Sequence, residues 1–315
     1  MGKISEIAAA LLGRQKQKNQ DKGLAATLED LMEQRRNVRY LRLKTKLHAA
    51  SRAGDVKSAF KGRGIEMEEI RSYAFGDDVR DIDWRVTARK NNPYTKIYAE
   101  ERDREIYVLL DLSASMVFGT RNELKSVTAS KIAALLGWMA QENNDRFGAY
   151  IFDGEKNWQF KPQQNRAQLL SVFNKIAAVN RDIIERRIEP EGLKKTLNLL
   201  VKGLKSRATV FILSDFSSFG EDEKKALAAL SKKASVFCLN IYDILEEQAP
   251  APGEYMVVDG TQNLVFDSRP QAFREEYGRF FAEKKMKIRD FCRKFNCRYF
   301  EIRTDIPITK QMKII

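Results

Sequence analysis

The chain has 315 residues, 43% hydrophobic and 31% charged, with a formal net charge of +13. That balance belongs to a globular protein with a sizeable core and excludes an intrinsically disordered chain. The longest apolar stretches, such as AALLGWMA at 133–140, fall far short of the roughly 20 residues that cross a bilayer.

Along the chain, Ile4, Ile7, Ala8, Leu11 and Leu12 recur at helical spacing, which predicts a short amphipathic helix over 3–13. Docking on the protein's own core is the expectation for it, with a membrane surface as the alternative. No long apolar core or cleavage site marks a signal peptide. QKQKNQDKG (15–23) reads as a linker, and 24–47 as a second helix with Leu24, Leu28, Leu31 and Met32 on one stripe. Basic charge concentrates here: residues 35–63 hold ten Lys/Arg against the single acid Asp55. Such a segment can bind nucleic acid or an anionic surface, or it is simply a solvated face. Only Tyr40 and Phe60 are available to stack on bases, so the nucleic-acid reading is the weaker one. Residues 51–66 carry three glycines and are expected to be extended or looped.

From Arg71 to Arg89, four arginines (71, 80, 85, 89) are interleaved with four aspartates (77, 78, 81, 83) around Tyr73, Phe75 and Trp84. Alternation of this kind builds hydrogen-bonded Arg–Asp forks that fix a non-regular segment. Asp78 and Asp83 are spaced to cap short helical turns, and Trp84 is expected in the core. The functional alternative is a docking surface of Arg71, Asp78, Arg80, Asp83 and Arg89.

From 106 onward the pattern is regular. IYVLLDL (106–112) is an apolar run of strand length, as for a strand buried on both faces. A helix is expected at 122–142, a strand at 146–154 with 157–160 pairing as a hairpin, and helices at 165–178 and 191–205. The strand ATVFILSDF (208–216), a helix (221–232), a strand (235–242), a hairpin around Asp259-Gly260, a helix (270–294) and a strand (297–302) follow. Strands alternating with long helices predict an α/β fold, a doubly wound and mostly parallel sheet with an N-terminal helical and irregular extension.

In such sheets ligands bind beyond the carboxyl ends of the central strands. Asp111 and Asp215 each end an apolar strand there, and Ser113 and Ser115 follow Asp111 at two and four residues. Two carboxylates and two hydroxyls make a hard, all-oxygen set suited to Mg2+ or Mn2+ rather than zinc. Enzyme templates fail on these residues. A phosphatase of the Asp-x-Asp type lacks its general acid, since Ser113 stands in that place. His48 is the one histidine for a serine triad, KGRG (61–64) lacks the Lys-Ser/Thr ending of a P-loop, and the aspartates at 77–83 do not fit an EF-hand. Cys238, Cys292 and Cys297 give neither a disulfide framework nor a zinc site, which favours a reduced, cytoplasmic compartment.

Asp111-Leu112-Ser113-Ala114-Ser115 resembles the metal-ion-dependent adhesion site (MIDAS) of von Willebrand factor A domains. The resemblance implies that Ser113 and Ser115 bind the metal directly and that Asp215 acts directly or through water. A partner carboxylate would complete the shell. The threonine of that motif is unmatched: in EPEGLKKTL (189–197) Gly192 is followed by Leu193, and Thr196 comes three residues late. The stretch 61–120, from GRGIEM through RSYAFGDD and DIDW to the strand, resembles the signature of the domain of unknown function 58 (DUF58) family, and the likeness spans about 40–305. It implies a MoxR-type AAA+ ATPase, or a client of one, as partner, and an adaptor or co-chaperone without enzymatic activity. The expected organisation is a basic helical extension (1–50), an Arg/Asp-rich signature segment packed on the sheet domain (51–104), an A-like domain (105–305) and a tail (306–315).

Overall fold

Thr27 starts helix α1 (Leu28–Glu33) by capping it: its hydroxyl accepts from Asp30 N at 3.2 Å, and the Asp30 carboxylate accepts from Thr27 N at 2.9 Å. The computed structural model describes residues 23–40, 65–90, 92–100, 104–185, 193–204, 208–258 and 263–312. The helix expected over 3–13, most of the linker at 15–23 and most of the basic segment 35–63 lie outside these residues. The chain divides into two compact units, Met1–Leu43 with Arg104–Ile315, and Lys44–Asp103.

Of the helix expected over 24–47, the described part is α-helical over Leu28–Glu33 alone, and 41–47 lie outside the described residues. After α1 the chain tightens into a 3-10 helix, Gln34–Tyr40, which turns the buried Gln34 and Val38 inward. In the smaller unit, β1 (Ile65–Ser72) and β2 (Tyr94–Glu100) pair antiparallel, with helix α2 (Trp84–Lys90) between them in sequence. The segment is thus more regular than its charge pattern suggests.

The larger unit is built on a six-stranded sheet. Its strands are β3 (Glu105–Asp111), β4 (Arg146–Phe152), β5 (Asn157–Gln163), β6 (Ala208–Ser214), β7 (Ala234–Tyr242) and β10 (Arg298–Arg303), in spatial order β10-β7-β6-β3-β4-β5. All pairs are parallel except the β4–β5 hairpin at one edge. A separate hairpin of β8 (Glu254–Val258) and β9 (Asn263–Asp267) precedes the last long helix.

Strand parity sorts the core into two layers. Val108, Leu110, Phe211, Leu213 and Leu239 pack with α3 (Lys125–Glu142) and α4 (Arg166–Glu185). Tyr107, Leu109, Val210, Ile212 and Cys238 pack with α5 (Lys194–Gly203), α6 (Glu221–Ser231) and the long helix α8 (Gln271–Lys294), which follows the single turn α7 (Ile244–Glu247). All three cysteines are free and buried. Trp138 of α3 is fully buried and donates its indole N–H to the Leu31 carbonyl at 3.1 Å, so α1 belongs to this core. Trp138→Ala should destabilise the protein by about 3–5 kcal/mol through the cavity left and the orphaned carbonyl, read as a lower urea midpoint.

Candidate functional site

Parity along the strands decides which side chains meet at the carboxyl edge. Asp111 continues the face of Tyr107 and Leu109, and Ser214 continues that of Val210 and Ile212 on the neighbouring strand. Strand order reverses between β3 and β6, because β4 and β5 lie on one side of β3 and β6, β7 and β10 on the other. The crevice of an open α/β sheet falls there.

Asp111 is buried, and both its oxygens have donors: Ser113 N at 2.9 Å and the Ser214 hydroxyl at 2.6 Å. Burial, and after it the charge of Asp215, push the Asp111 carboxyl up to about 6, against the pull of these hydrogen bonds. Asp215, equally buried, divides its two oxygens. Oδ1 accepts from Ser217 N at 2.9 Å and from the Ser115 hydroxyl at 3.2 Å. Oδ2 takes the Lys125 ammonium at 2.7 Å. Burial would raise this carboxyl, but Lys125 outweighs it and holds Asp215 below the usual carboxylate range.

The Ser115 hydroxyl is the hub of the outer edge, 3.3 Å from Ser113 Oγ and 3.0 Å from Ser217 Oγ. Ala114 and Ser217 are exposed, so this rim is open to a partner. Phe216, between Asp215 and Ser217, is held at φ 51°, a left-handed conformation that costs a non-glycine residue on the order of 1 kcal/mol. Its N–H donates to Ser214 Oγ at 3.0 Å, which fixes the turn that aims Asp215 at the rim.

A second buried acid supports the first. Asp243, after β7, accepts from Thr120 N and Oγ1 at 3.0 and 2.6 Å, Thr304 Oγ1 at 2.7 Å and Leu245 N at 3.0 Å. Burial opposes its charge, yet these donors hold its carboxyl low. It ties the loop after Ser115 to β7 and to the end of β10. Glu246 accepts from Asp243 N at 2.8 Å and from Lys125 Nζ at 2.8 Å, which links the two acid clusters through one ammonium. Beside Glu246 opens a cleft of about 400 Å³ lined by Phe273, Tyr277, Phe280, Phe281 and Lys284.

The four residues expected to hold a metal therefore do converge. Adjacent oxygens of an octahedral magnesium lie about 2.9 Å apart, and the Ser113, Ser115, Ser217 and Asp215 spacings fall slightly wider. The raised Asp111 carboxyl marks negative charge that a cation would relieve. Donor type and spacing fit a hard divalent ion. Among the described residues no group of three or more His, Cys, Asp or Glu could hold a metal, so hydroxyls would make up the rest of the shell. Thr196 is elsewhere: it is fully buried and hydrogen-bonded to Asn157.

The Arg/Asp segment, in the smaller unit, forms one Arg–Asp pair and both of the caps expected of it. Arg71 pairs with Asp77 at 2.7 Å, whereas Asp78 caps a turn through Arg80 N, and Asp83 caps α2 through Arg85 N and Val86 N. Arg80, Arg85 and Arg89 are exposed and make no ion pair among the described residues. Asp78 and Asp83 are engaged by local backbone donors, and Asp83 also pairs with Lys96 at 3.4 Å rather than with an arginine. Trp84, expected in the core, is 67% exposed, because a helix of under two turns on a two-stranded sheet offers no deep layer to fill.

Lys125, Ser214, Ser217 and Glu246 were missed by sequence reasoning. Ser214 and Ser217 flank Asp215 in LSDFSS and could have been read with it. Lys125 left a fainter signal: a cation as the first residue of an apolar helix, where the helix dipole disfavours it.

A family model described as "Protein of unknown function DUF58" matches residues 69–287. Uncharacterized proteins of Mycobacterium bovis and Mycobacterium tuberculosis, Mb1516 and Rv1480, are 27% identical over 257 residues, covering 80% of this chain and 78% of theirs. Among solved structures, a conserved hypothetical protein BatB of Bacteroides thetaiotaomicron has a TM-score of 0.41 at 16% identity, covering 67% of this chain and 95% of its own. An aerotolerance-related membrane protein of Bacteroides fragilis gives 0.40 at 13%, covering 67% and 100%. Both scores are too low to transfer anything to this chain.

With its carboxyl raised from 3.8 to about 6, Asp111 withholds stability as pH rises through that interval, and Asp111→Asn does not titrate there. In EDTA, the unfolding free energy of Asp111→Asn, read from urea midpoints, should gain on wild type between pH 4 and pH 8 by up to roughly 3 kcal/mol. A difference independent of pH would contradict the buried, repelled carboxyl.

Proposed function

The chain belongs to the DUF58 family of proteins of unknown function, and on that premise we propose that it is a binding protein rather than an enzyme. It works as an adaptor or co-chaperone that captures a partner carboxylate at the sheet edge. Asp111, Ser113, Ser115 and Asp215 would hold Mg2+ or Mn2+, which supplies a Lewis-acid contact for that carboxylate. One observation carries the reading: the hydroxyls of Ser113 and Ser217 and one carboxylate oxygen gather around the hydroxyl of Ser115 at an open rim, above a buried acid whose charge is poorly compensated.

Support for a von Willebrand factor A-like larger unit comes from the strand order and from the Asp111 edge at its reversal point. The non-enzymatic reading rests on the loop after Asp111, where hydroxyls stand and a proton-donating acid does not. The resemblance implies a MoxR-type AAA+ ATPase, or its client, as partner, in the cytoplasm. No helix among the described residues is long and apolar enough to cross a membrane.

The basic segment 35–63 offers nucleic acid as the rival ligand. Its described part, 35–40, is partly engaged in the fold, since Arg35 lies 5.4 Å from the Trp138 ring and 3.8 Å from Glu142. Binding of a purified MoxR-type ATPase, followed by surface plasmon resonance, should require magnesium. It should weaken at least tenfold in EDTA or with Asp111→Ala or Ser115→Ala. Binding indifferent to EDTA and to both substitutions removes the metal bridge; recovery of nucleic acid that salt releases moves the function to 35–63.

A further inference from the structure

Lys125 is the most deeply buried cation at the edge. Its side chain is 2% exposed, and its ammonium lies 2.7 Å from Asp215 Oδ2 and 2.8 Å from Glu246 Oε1. The Phe118 ring closes over it at 5.7 Å. Removing an ammonium from water costs several kcal/mol, and its place at the first residue of α3 adds an unfavourable dipole. Two acids at hydrogen-bond distance are the compensation that keeps it there.

The pairing divides Asp215 between two tasks. Oδ2 belongs to the ammonium, while Oδ1 faces Ser115 and Ser217 on the rim. Through Glu246 the same ammonium reaches Asp243, which anchors the loop carrying Thr120. One buried positive charge therefore connects β6, α3, α7 and the loop after Ser115. A divalent ion on the rim would sit against the same carboxylate and be repelled by that charge.

We infer that Lys125 is a resident counter-ion: it keeps the carboxylate edge assembled without a divalent cation and holds the edge's affinity for one low. The inference rests on the reading of this edge as a divalent-cation site. It makes the edge a weak metal site by construction, one that gains a firmly held ion only when a partner brings another carboxylate.

Titration calorimetry with Mn2+ on the full chain tests this. Lys125→Met should bind Mn2+ at least tenfold more tightly than wild type. Its melting temperature should fall in EDTA and recover with Mn2+, whereas wild type should change little between the two. Because Met leaves the buried Asp215 and the half-buried Glu246 without their cation, Lys125→Gln serves as the second variant: its amide still donates a hydrogen bond but carries no charge, and the same direction is expected. Tighter binding by either variant supports the resident counter-ion. Equal or weaker binding by folded variants, with wild type binding, overturns it and leaves the metal reading standing. No binding by any of the three proteins overturns both.

Discussion

The buried carboxylate of Asp215, shared between an ammonium behind it and hydroxyls in front, is the constraint on which the edge depends. A charge so deeply placed is tolerated only with a partner, and Lys125 is that partner. Everything outward of it follows. The left-handed Phe216 turns the chain so that Oδ1 faces the rim, Ser115 meets that oxygen, and Ser113 and Ser217 join through Ser115. Among the described residues Asp111 receives no ammonium. Its charge is met by hydrogen bonds from Ser113 and Ser214, and burial and Asp215 prevail over them, so its carboxyl rises.

The sheet explains why these residues meet at all. They come from 111 to 217 in the sequence, but parallel pairing of β3 with β6 sets Asp111 and Ser214 at the same end and on the same face. Reversal of strand order at that pair leaves the crevice uncovered by a crossover connection. Asp243 and Thr304 extend the same polar edge across β7 and β10, so the edge is braced over four adjacent strands.

Much of this was legible in the sequence. IYVLLDL and VFILSD announce strands buried on both faces, each ending in an acid, and the helices between them have unbroken apolar stripes. The Asp-x-Ser-x-Ser spacing placed two hydroxyls near Asp111, and they lie there. What stayed hidden depends on tertiary contacts. Lys125 looks like any helical lysine until Asp215, 90 residues away, is set beside it. Trp84 reads as a core residue because its size suggests burial, while no layer among the described residues of the smaller unit covers it. The Arg–Asp alternation suggested several ion pairs, of which Arg71–Asp77 forms, while Asp78 and Asp83 make the caps that their spacing also suggested. Helix boundaries shifted for the same kind of reason: Thr27 sets where α1 begins, and the tightening at Gln34 ends it.

The most direct measurement is anomalous diffraction from crystals of the full chain grown with manganese. A peak between Ser113, Ser115 and Asp215 Oδ1, with Lys125 still on Asp215 Oδ2, is the predicted result. An edge that stays metal-free at saturating manganese, with the Ser115 hydroxyl still hydrogen-bonded to Asp215, would contradict it.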